Sequence, residues 1–100
     1  MTVTVVTRWT TPDAAASTAI AKRSKALWMK NGALDVRLNQ IFTGPDTGNW
    51  LFIVVFADMA AYAKSFSTVS GSPDLQALLA ENAKVGAVMH ERMLLVGADI

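Results

Sequence analysis

The chain has 100 residues, of which 52% are hydrophobic and only 17% are charged, and its formal net charge at neutral pH is +1. This length predicts a single domain over residues 1–100, and so small a charge gives no field that would attract nucleic acid or an anionic membrane. The absence of cysteine excludes disulfides, thiolate catalysis and zinc–thiolate sites.

The first half of the chain predicts a strand, a helix and a second strand. β-Branched residues alternate from Thr2 to Trp9, which is the pattern of a strand. Thr11-Pro12-Asp13 then offers a capping hydroxyl, a proline at the first helical position and an acid in the first turn. We expect the helix to run to about Lys30 and to end at Asn31-Gly32, with a second strand over Leu34 to Phe42.

The second half predicts a strand, a broken helix and a last strand. A segment dense in turn-forming residues separates Phe42 from Trp50 to Ala57, which is apolar at every position, as in a central strand covered on both faces. Asp58 can cap the next helix, which Ser70-Gly71-Ser72-Pro73-Asp74 interrupts and restarts. The restarted helix should stop near Gly86, and Ala87 to Val96 forms the fourth strand.

The element order is therefore βαββαβ, an α+β arrangement of the ferredoxin-like type. Right-handed crossovers place both helices on one face of a four-stranded antiparallel sheet. The other face stays bare yet carries apolar residues, and so large an apolar patch indicates an interaction surface. We expect two sheets to pack face to face in a symmetric homodimer.

Features of localisation signals and membrane spans are missing from the sequence. The longest uncharged apolar run, Trp50 to Ala57, is much shorter than a membrane helix. The N-terminal segment has no basic start followed by an apolar block, so it does not resemble a signal peptide. We therefore expect a cytoplasmic protein without membrane contact.

Parts of the second half resemble a known superfamily. The strand from Trp50 to Asp58, the Ala61-Tyr62-Ala63 helix start and the restart from Ser72 to Leu78 are similar to the dimeric α/β-barrel proteins. These include the antibiotic-biosynthesis-monooxygenase-like, NIPSNAP-like and EthD-like domains. The resemblance implies a homodimer with a pocket between each sheet and its helices. It carries no catalytic motif, and because this fold hosts several chemistries it does not imply one of them.

Three polar side chains are candidates for chemistry in such a pocket. His90 is the only histidine and hence the side chain that titrates near neutral pH; we expect it on the same strand face as Arg92. It is either a general base or a half-buried structural histidine. Arg23 falls inside the apolar stripe predicted for the first helix, formed by Ala16, Ala19, Ile20 and Leu27. Arg23 either clamps a carboxylate or extends to the rim, and Arg92 is a second anion stabiliser.

Aromatic residues and further polar groups complete the candidates. Trp50, Tyr62 and Phe66 are either core residues or the walls of a flat apolar pocket, with the tyrosine hydroxyl as its polar group. Arg8, Arg37 and Asn39 are expected to make contacts that set the register of the dimer.

Metal, cofactor and RNA binding find little support. One histidine and scattered carboxylates form no metal-ligand set, and no glycine-rich phosphate loop is present, so we expect no metal and no cofactor. Haem binding through His90 is kept as an alternative, because some relatives of this fold bind haem. The segment from Asn49 to Val55 loosely resembles the third strand of RNA-recognition domains. It lacks the basic residue and the glycine of that strand, so we do not expect nucleic acid to bind.

The leading functional hypothesis is a homodimer that binds a small apolar organic molecule, with or without an anionic group, between sheet and helices. If the protein is an enzyme, the superfamily resemblance favours a cofactor-free monooxygenase or an isomerase-like proton transfer, in which His90 deprotonates the substrate and Arg23 or Arg92 stabilises the anion. The alternative is a non-catalytic dimer that binds a ligand or partner.

Overall fold

Four antiparallel strands and three helices make up the computed structural model, which describes residues 1–100. In chain order they are β1 (Val3–Thr10), α1 (Ala14–Lys30), β2 (Asp35–Gln40), β3 (Trp50–Phe56), α2 (Met59–Ser70), α3 (Pro73–Lys84) and β4 (Val88–Val96). The strands form one sheet in the order β2-β3-β1-β4. The predicted ferredoxin-like fold is thus confirmed, including the break between α2 and α3.

The strand bounds differ slightly from those predicted. β2 ends at Gln40 rather than Phe42, because its pairing with β3 stops at the Gln40–Trp50 pair and the chain then turns. The backbone of Ile41 closes that turn through hydrogen bonds with Gly48 and Asn49, and Phe42 is left 90% exposed. A one-residue bulge in β4 opposite the Arg8–Trp9 step was not predicted, and it leaves His90 without a partner in β1.

The helix ends follow from local hydrogen bonding. Asp58 caps α2 and Ser72 caps α3, as predicted, each accepting from a backbone N–H three residues on. At α1 the prediction is wrong, because Asp13 rather than Thr11 is the cap and accepts from the N–H of Ala16. The Thr11 hydroxyl instead accepts from the N–H of Asp13, which places the helix start two residues later.

The core lies between the sheet and the helices. Val5, Val54 and Phe56 of the central strands pack with Trp28 of α1 and Val69 of α2. Alternate residues of β1, β2 and β3 therefore face the helices, and the intervening residues face away from them.

The face by which α1 meets the sheet differs from the predicted stripe. The buried residues of α1 are Ser17, Ile20, Ala21 and Trp28. At 3.6 residues per turn their centre lies about 100° around the helix from the predicted stripe of Ala16, Ala19, Ile20, Arg23 and Leu27. Serine and alanine make up half of this buried face, so hydrophobicity alone pointed to the wrong side.

The opposite face of the sheet is not covered. Leu51, Ile53 and Val55 of β3 are partly exposed there, and all nine residues of β4 are exposed on both faces, since α3 packs against α1 instead of covering β4. None of the helices has the length and apolar character needed to cross a membrane.

Candidate functional site

A cavity of about 110 Å³ lies between the sheet and helices α1 and α3. Most of its lining is apolar, and this wall includes Trp9, Ile20, Trp28, Phe52, Leu75 and Met89. The polar lining residues are Thr7, Ser17, Ser24, Asn82 and Arg92. An apolar cavity with a few polar groups is the usual form of a small-molecule site.

Arg92 supplies the only charge in the lining of this cavity. It pairs with Thr7 across the β1–β4 ladder and so lies on the helix side of the sheet. Its guanidinium carbon lies 5.3 Å from the centre of the Phe66 ring, a cation–π contact. The three ion pairs of the chain involve Arg8, Arg23 and Arg37, so Arg92 has no carboxylate partner. A guanidinium placed in this way is free to bind an anion.

Partly buried hydrogen bonds join α1 to α3 beside the cavity. Ser17 is 1% exposed, and its hydroxyl lies 2.7 Å from the Thr11 hydroxyl and donates to Asn82 Oδ1 at 2.7 Å. The amide Nδ2 of Asn82 makes no side-chain hydrogen bond within the protein. Because Asn82 lines the cavity, this amide is a second polar group that a ligand could use.

The aromatic residues divide between two places. Tyr62 packs edge-on against Phe56 at 5.7 Å and lies 5.4 Å from Phe66, which stacks on Trp28 at 6.2 Å. Trp50 stacks on Trp9 at 6.0 Å. Phe66 lines a small void of about 30 Å³ that also contacts Arg92. Neither Trp50 nor Tyr62 lines the 110 Å³ cavity, so both serve here as packing residues.

His90 lies outside this cavity. Regular alternation would put His90 on the face of Arg92. The bulge interrupts the alternation at His90, and Val88, which lies beyond the bulge, pairs with Thr10 on the other face. The His90 ring accordingly sits with Nε2 2.8 Å from the Thr10 hydroxyl, and the side chain is exposed. The prediction that His90 and Arg92 lie on the same face of the strand is therefore wrong.

Arg23 also lies away from the cavity, on the side of α1 that faces α3. Its guanidinium binds Glu81 at 2.6 Å, and the Arg23 side chain is 53% exposed. The hydrogen bond that Arg23 donates to Glu81 raises the pKa of Arg23, an effect that partial desolvation opposes. The predicted orientation of Arg23 toward the sheet is wrong because α1 is rotated as described above.

A second and wider groove, of about 450 Å³, runs between α1 and β2. Lys22 and Lys25 of α1 line one side, and Asp35 and Arg37 of β2 line the other. Arg37 Nε donates to Asp35 at 2.6 Å, and this bond is the main reason that the pKa of Asp35 is lowered. Lys25 adds a smaller electrostatic contribution in the same direction.

The polar residues predicted for the dimer centre lie on the face of the sheet away from the helices. Arg8 and Asn39 both pair with Leu51, and Arg37 pairs with Ile53. Arg8 donates to Asn49 at 2.9 Å and lies 3.6 Å from Asp46, so it holds the β2–β3 turn. Their meeting in a dimer stays a prediction. Nowhere do three His, Cys, Asp or Glu side chains gather closely enough to hold a metal ion.

Sequence reasoning missed several residues of the cavity, of which Ser17, Trp28 and Asn82 matter most. Ser17 and Asn82 are 65 positions apart, and each alone looks like a surface residue of a helix. Trp28 carried a usable signal, because a tryptophan in a helix rich in alanine and lysine is a large apolar group that needs burial.

Comparisons with known proteins give one family match and several solved structures that share one fold. The family model described as Domain of unknown function (DUF6854) matches residues 1–91. No curated protein matches the chain at a significant level. SnoaB, a cofactor-independent oxygenase from Streptomyces nogalater, superposes with a TM-score of 0.73 at 19% identity, covering 99% of this chain and 95% of SnoaB.

Two further solved structures agree in fold. A Bordetella bronchiseptica protein assigned to the antibiotic biosynthesis monooxygenases has a TM-score of 0.65 at 12% identity, covering 99% of this chain and 97% of its own. One from Deinococcus radiodurans with the same assignment has a TM-score of 0.62 at 9% identity, covering 100% and 95%. The fold is therefore that of the antibiotic-biosynthesis-monooxygenase-like proteins, as the resemblance implied.

Proposed function

The chain belongs to the DUF6854 family, and we propose that it is a homodimer that binds a small apolar organic anion between sheet and helices and oxygenates it without a cofactor. The observation that carries this proposal is Arg92, a guanidinium without a carboxylate partner at the side of an apolar cavity. The fold shared with SnoaB, itself a cofactor-independent oxygenase, supports the choice of reaction.

The cavity suits an acidic, electron-rich ligand such as a phenol or an enol. The apolar wall holds the body of the ligand, and Arg92, which is exposed at the side of the cavity, attracts its anionic oxygen. That attraction lowers the pKa of the bound ligand and holds it as the anion. The hydroxyls of Thr7 and Ser24 and the amide of Asn82 are neutral groups that could orient it.

Such an anion can react with dioxygen without help from a metal or flavin. In the overall reaction a carbon between two activating groups loses two hydrogens and gains one oxygen atom, forming a carbonyl. The second oxygen atom leaves as water, so dioxygen accepts all four electrons and no other reductant is needed. The protein's part is to bind the anion and orient it.

The cavity is small for a ring-sized ligand, and the predicted base lies outside it. The cavity of about 110 Å³ is smaller than the roughly 300 Å³ at which ligand sites usually begin, so a ring-sized ligand would extend past its rim. His90, the predicted base, lies outside the cavity, on the face of the sheet away from the helices, so the cavity takes no proton through it.

A second candidate is a dimer that binds the same ligand without turnover. It is favoured by the lining of the cavity, which contains no carboxylate or imidazole that could take a proton from the ligand. The two candidates predict the same binding and differ in oxygen consumption.

The test is a panel of phenols and enols, screened for thermal stabilisation and then for oxygen consumption. A ligand at a hundredfold excess over its dissociation constant should stabilise the wild type by about 2.7 kcal/mol. Arg92→Gln should weaken binding about 10- to 150-fold, since a hydrogen bond to a charged group contributes roughly 1.5–3 kcal/mol. Without ligand its stability should fall by only about 0.5–1 kcal/mol, the value of an exposed cation–π contact.

Arg23→Gln is the matched control, because it removes an exposed arginine that does not line the cavity. It should leave ligand affinity unchanged. Binding with no oxygen consumption would favour the non-catalytic candidate. If no acidic ligand stabilises the wild type, or if both arginine variants lose binding equally, the proposal fails.

A further inference from the structure

The groove between α1 and β2 has the size of a ligand site and no role in the proposed function. Its volume of about 450 Å³ falls within the usual range of roughly 300–1,000 Å³ for small-molecule sites. It opens at the β2 edge of the sheet, because β2 is the terminal strand on that side.

Positive charge dominates the groove. Thr18, Lys22 and Lys25 follow one another at helical spacing along the side of α1 that borders β2. The one carboxylate in the lining, Asp35, already pairs with Arg37 at 2.6 Å. Neither lysine makes an ion pair, although Lys25 acts electrostatically on Asp35, so the lining carries three cationic side chains against one carboxylate.

The floor of the groove is apolar. Val36 and Leu38 of β2 form it together with Phe52 of β3, which pairs directly with Leu38. Val36 is 2% exposed and therefore belongs to the core, whereas Leu38 and Phe52 are partly exposed. Phe52 and Ala21 also line the 110 Å³ cavity, so these two side chains lie between the cavity and the groove.

We propose that this groove is a separate binding site for an amphipathic organic carboxylate. Its carboxylate binds Lys22 and Lys25, and its apolar body lies against Leu38 and Phe52. The proposal does not depend on the proposed function, because neither lysine and neither β2 residue lines the cavity that holds Arg92. Exposed ammonium groups are screened by salt, so we expect binding to weaken as ionic strength rises.

The test uses 2-naphthoate as the probe and 2-naphthalenemethanol as its neutral counterpart, with binding followed by methyl NMR. Naphthoate should shift the methyl signals of Val36 and Leu38 more than those of Leu79 and Met89, which line the cavity. The Lys22→Gln/Lys25→Gln double variant should bind naphthoate about tenfold less tightly at low salt. Its affinity for the neutral alcohol should not change.

The matched control is Lys30→Gln/Lys64→Gln, which removes the same charge from two lysines of another surface depression. It should bind naphthoate like the wild type. Shifts centred on Leu79 and Met89, equal loss in the two double variants, or no binding at millimolar naphthoate would each overturn the proposal. Arg92→Gln separates the two sites, since it should weaken cavity binding and leave the groove unaffected.

Discussion

At the scale of single residues, Ser17 carries a testable structural role. Its buried hydroxyl donates to Asn82 and contacts Thr11, and so connects α1 with α3 beside the cavity. Ser17→Ala removes the hydroxyl that the half-buried Asn82 and Thr11 contact, so we expect the free energy of unfolding to fall by about 1 kcal/mol, the net value of a typical hydrogen bond. Ser24→Ala is the control: Ser24 lines the same cavity without a side-chain hydrogen bond, and its loss should change stability by less than about 0.5 kcal/mol. Urea denaturation measures both, and equal losses would contradict the role of the network.

The Asp35–Arg37 pair gives a pH-dependent prediction. Because the pKa of Asp35 is lowered in the folded protein, the pair stabilises the fold above the ordinary carboxyl range, and this contribution is lost as pH falls through the pKa of Asp35. Arg37→Gln should raise that pKa, since the Arg37 hydrogen bond is its main cause. Lys25→Gln should raise it less. NMR titration of the Asp35 side chain measures both effects, and a larger effect of Lys25 would contradict the assignment.

The directions of single side chains limited what the sequence could predict about the site. His90, Arg23 and Arg92 were identified by type as the residues able to do acid–base or anion chemistry. Their directions depend on the rotation of α1 and on one bulge in β4, and both of these are set by tertiary packing. Only Arg92 lies at the cavity, because the alternation of β4 holds from Arg92 to Val96 and fails before it.

At the scale of elements, two nearly identical segments start their helices differently. Thr11-Pro12-Asp13 and Ser72-Pro73-Asp74 look alike, yet Asp13 caps α1 whereas Asp74 lies in the first turn of α3 behind the Ser72 cap. Asp13→Ala should therefore cost about 1 kcal/mol, the usual value of a lost cap. Asp74→Ala should cost only about 0.3–1 kcal/mol, the value of a charge near the helix dipole. Thermal or urea unfolding decides the order, and a greater loss at Asp74 would contradict it.

Elements were easier to predict than their contacts. The alternation of β1, the continuous apolar run of β3 and the Asp58 cap are local patterns, and all appear in the structure within one or two residues. The turn after α3 requires glycine at Gly86. The φ of Gly86 is +93°, and a Cβ atom there would lie 2.9 Å from Pro12 Cγ. The exact end of β2 depends on where β3 stops pairing, which no local pattern specifies.

At the scale of the whole molecule, the chain folds into a flat shape in which one face of the sheet is uncovered. Its principal extents are 37 × 35 × 17 Å, and only 14 of 100 residues are buried although half of the chain is hydrophobic. The surplus apolar surface lies on β4 and on the sheet face away from the helices. A second copy packed on this face would cover Ile53, Met93 and Leu95 in one step.

The proposed dimer is tested by placing a charge on that face. Met93 pairs with Val6, which is 7% exposed and lies on the side of β1 away from the helices. Met93 itself is 42% exposed, so in a single chain the ammonium group of Met93→Lys can stay in solvent. In a symmetric dimer two ammonium groups would be buried without partners, at about 3 kcal/mol each, which together weaken association about ten-thousandfold. Met29→Lys is the matched control, since Met29 is also 42% exposed but lies on α1. Sedimentation at micromolar concentration should give twice the 10.7 kDa chain mass for the wild type and for Met29→Lys, and a folded monomer for Met93→Lys. A monomeric wild type, or a Met93→Lys variant that still dimerises, would show that this face does not join two copies of the chain.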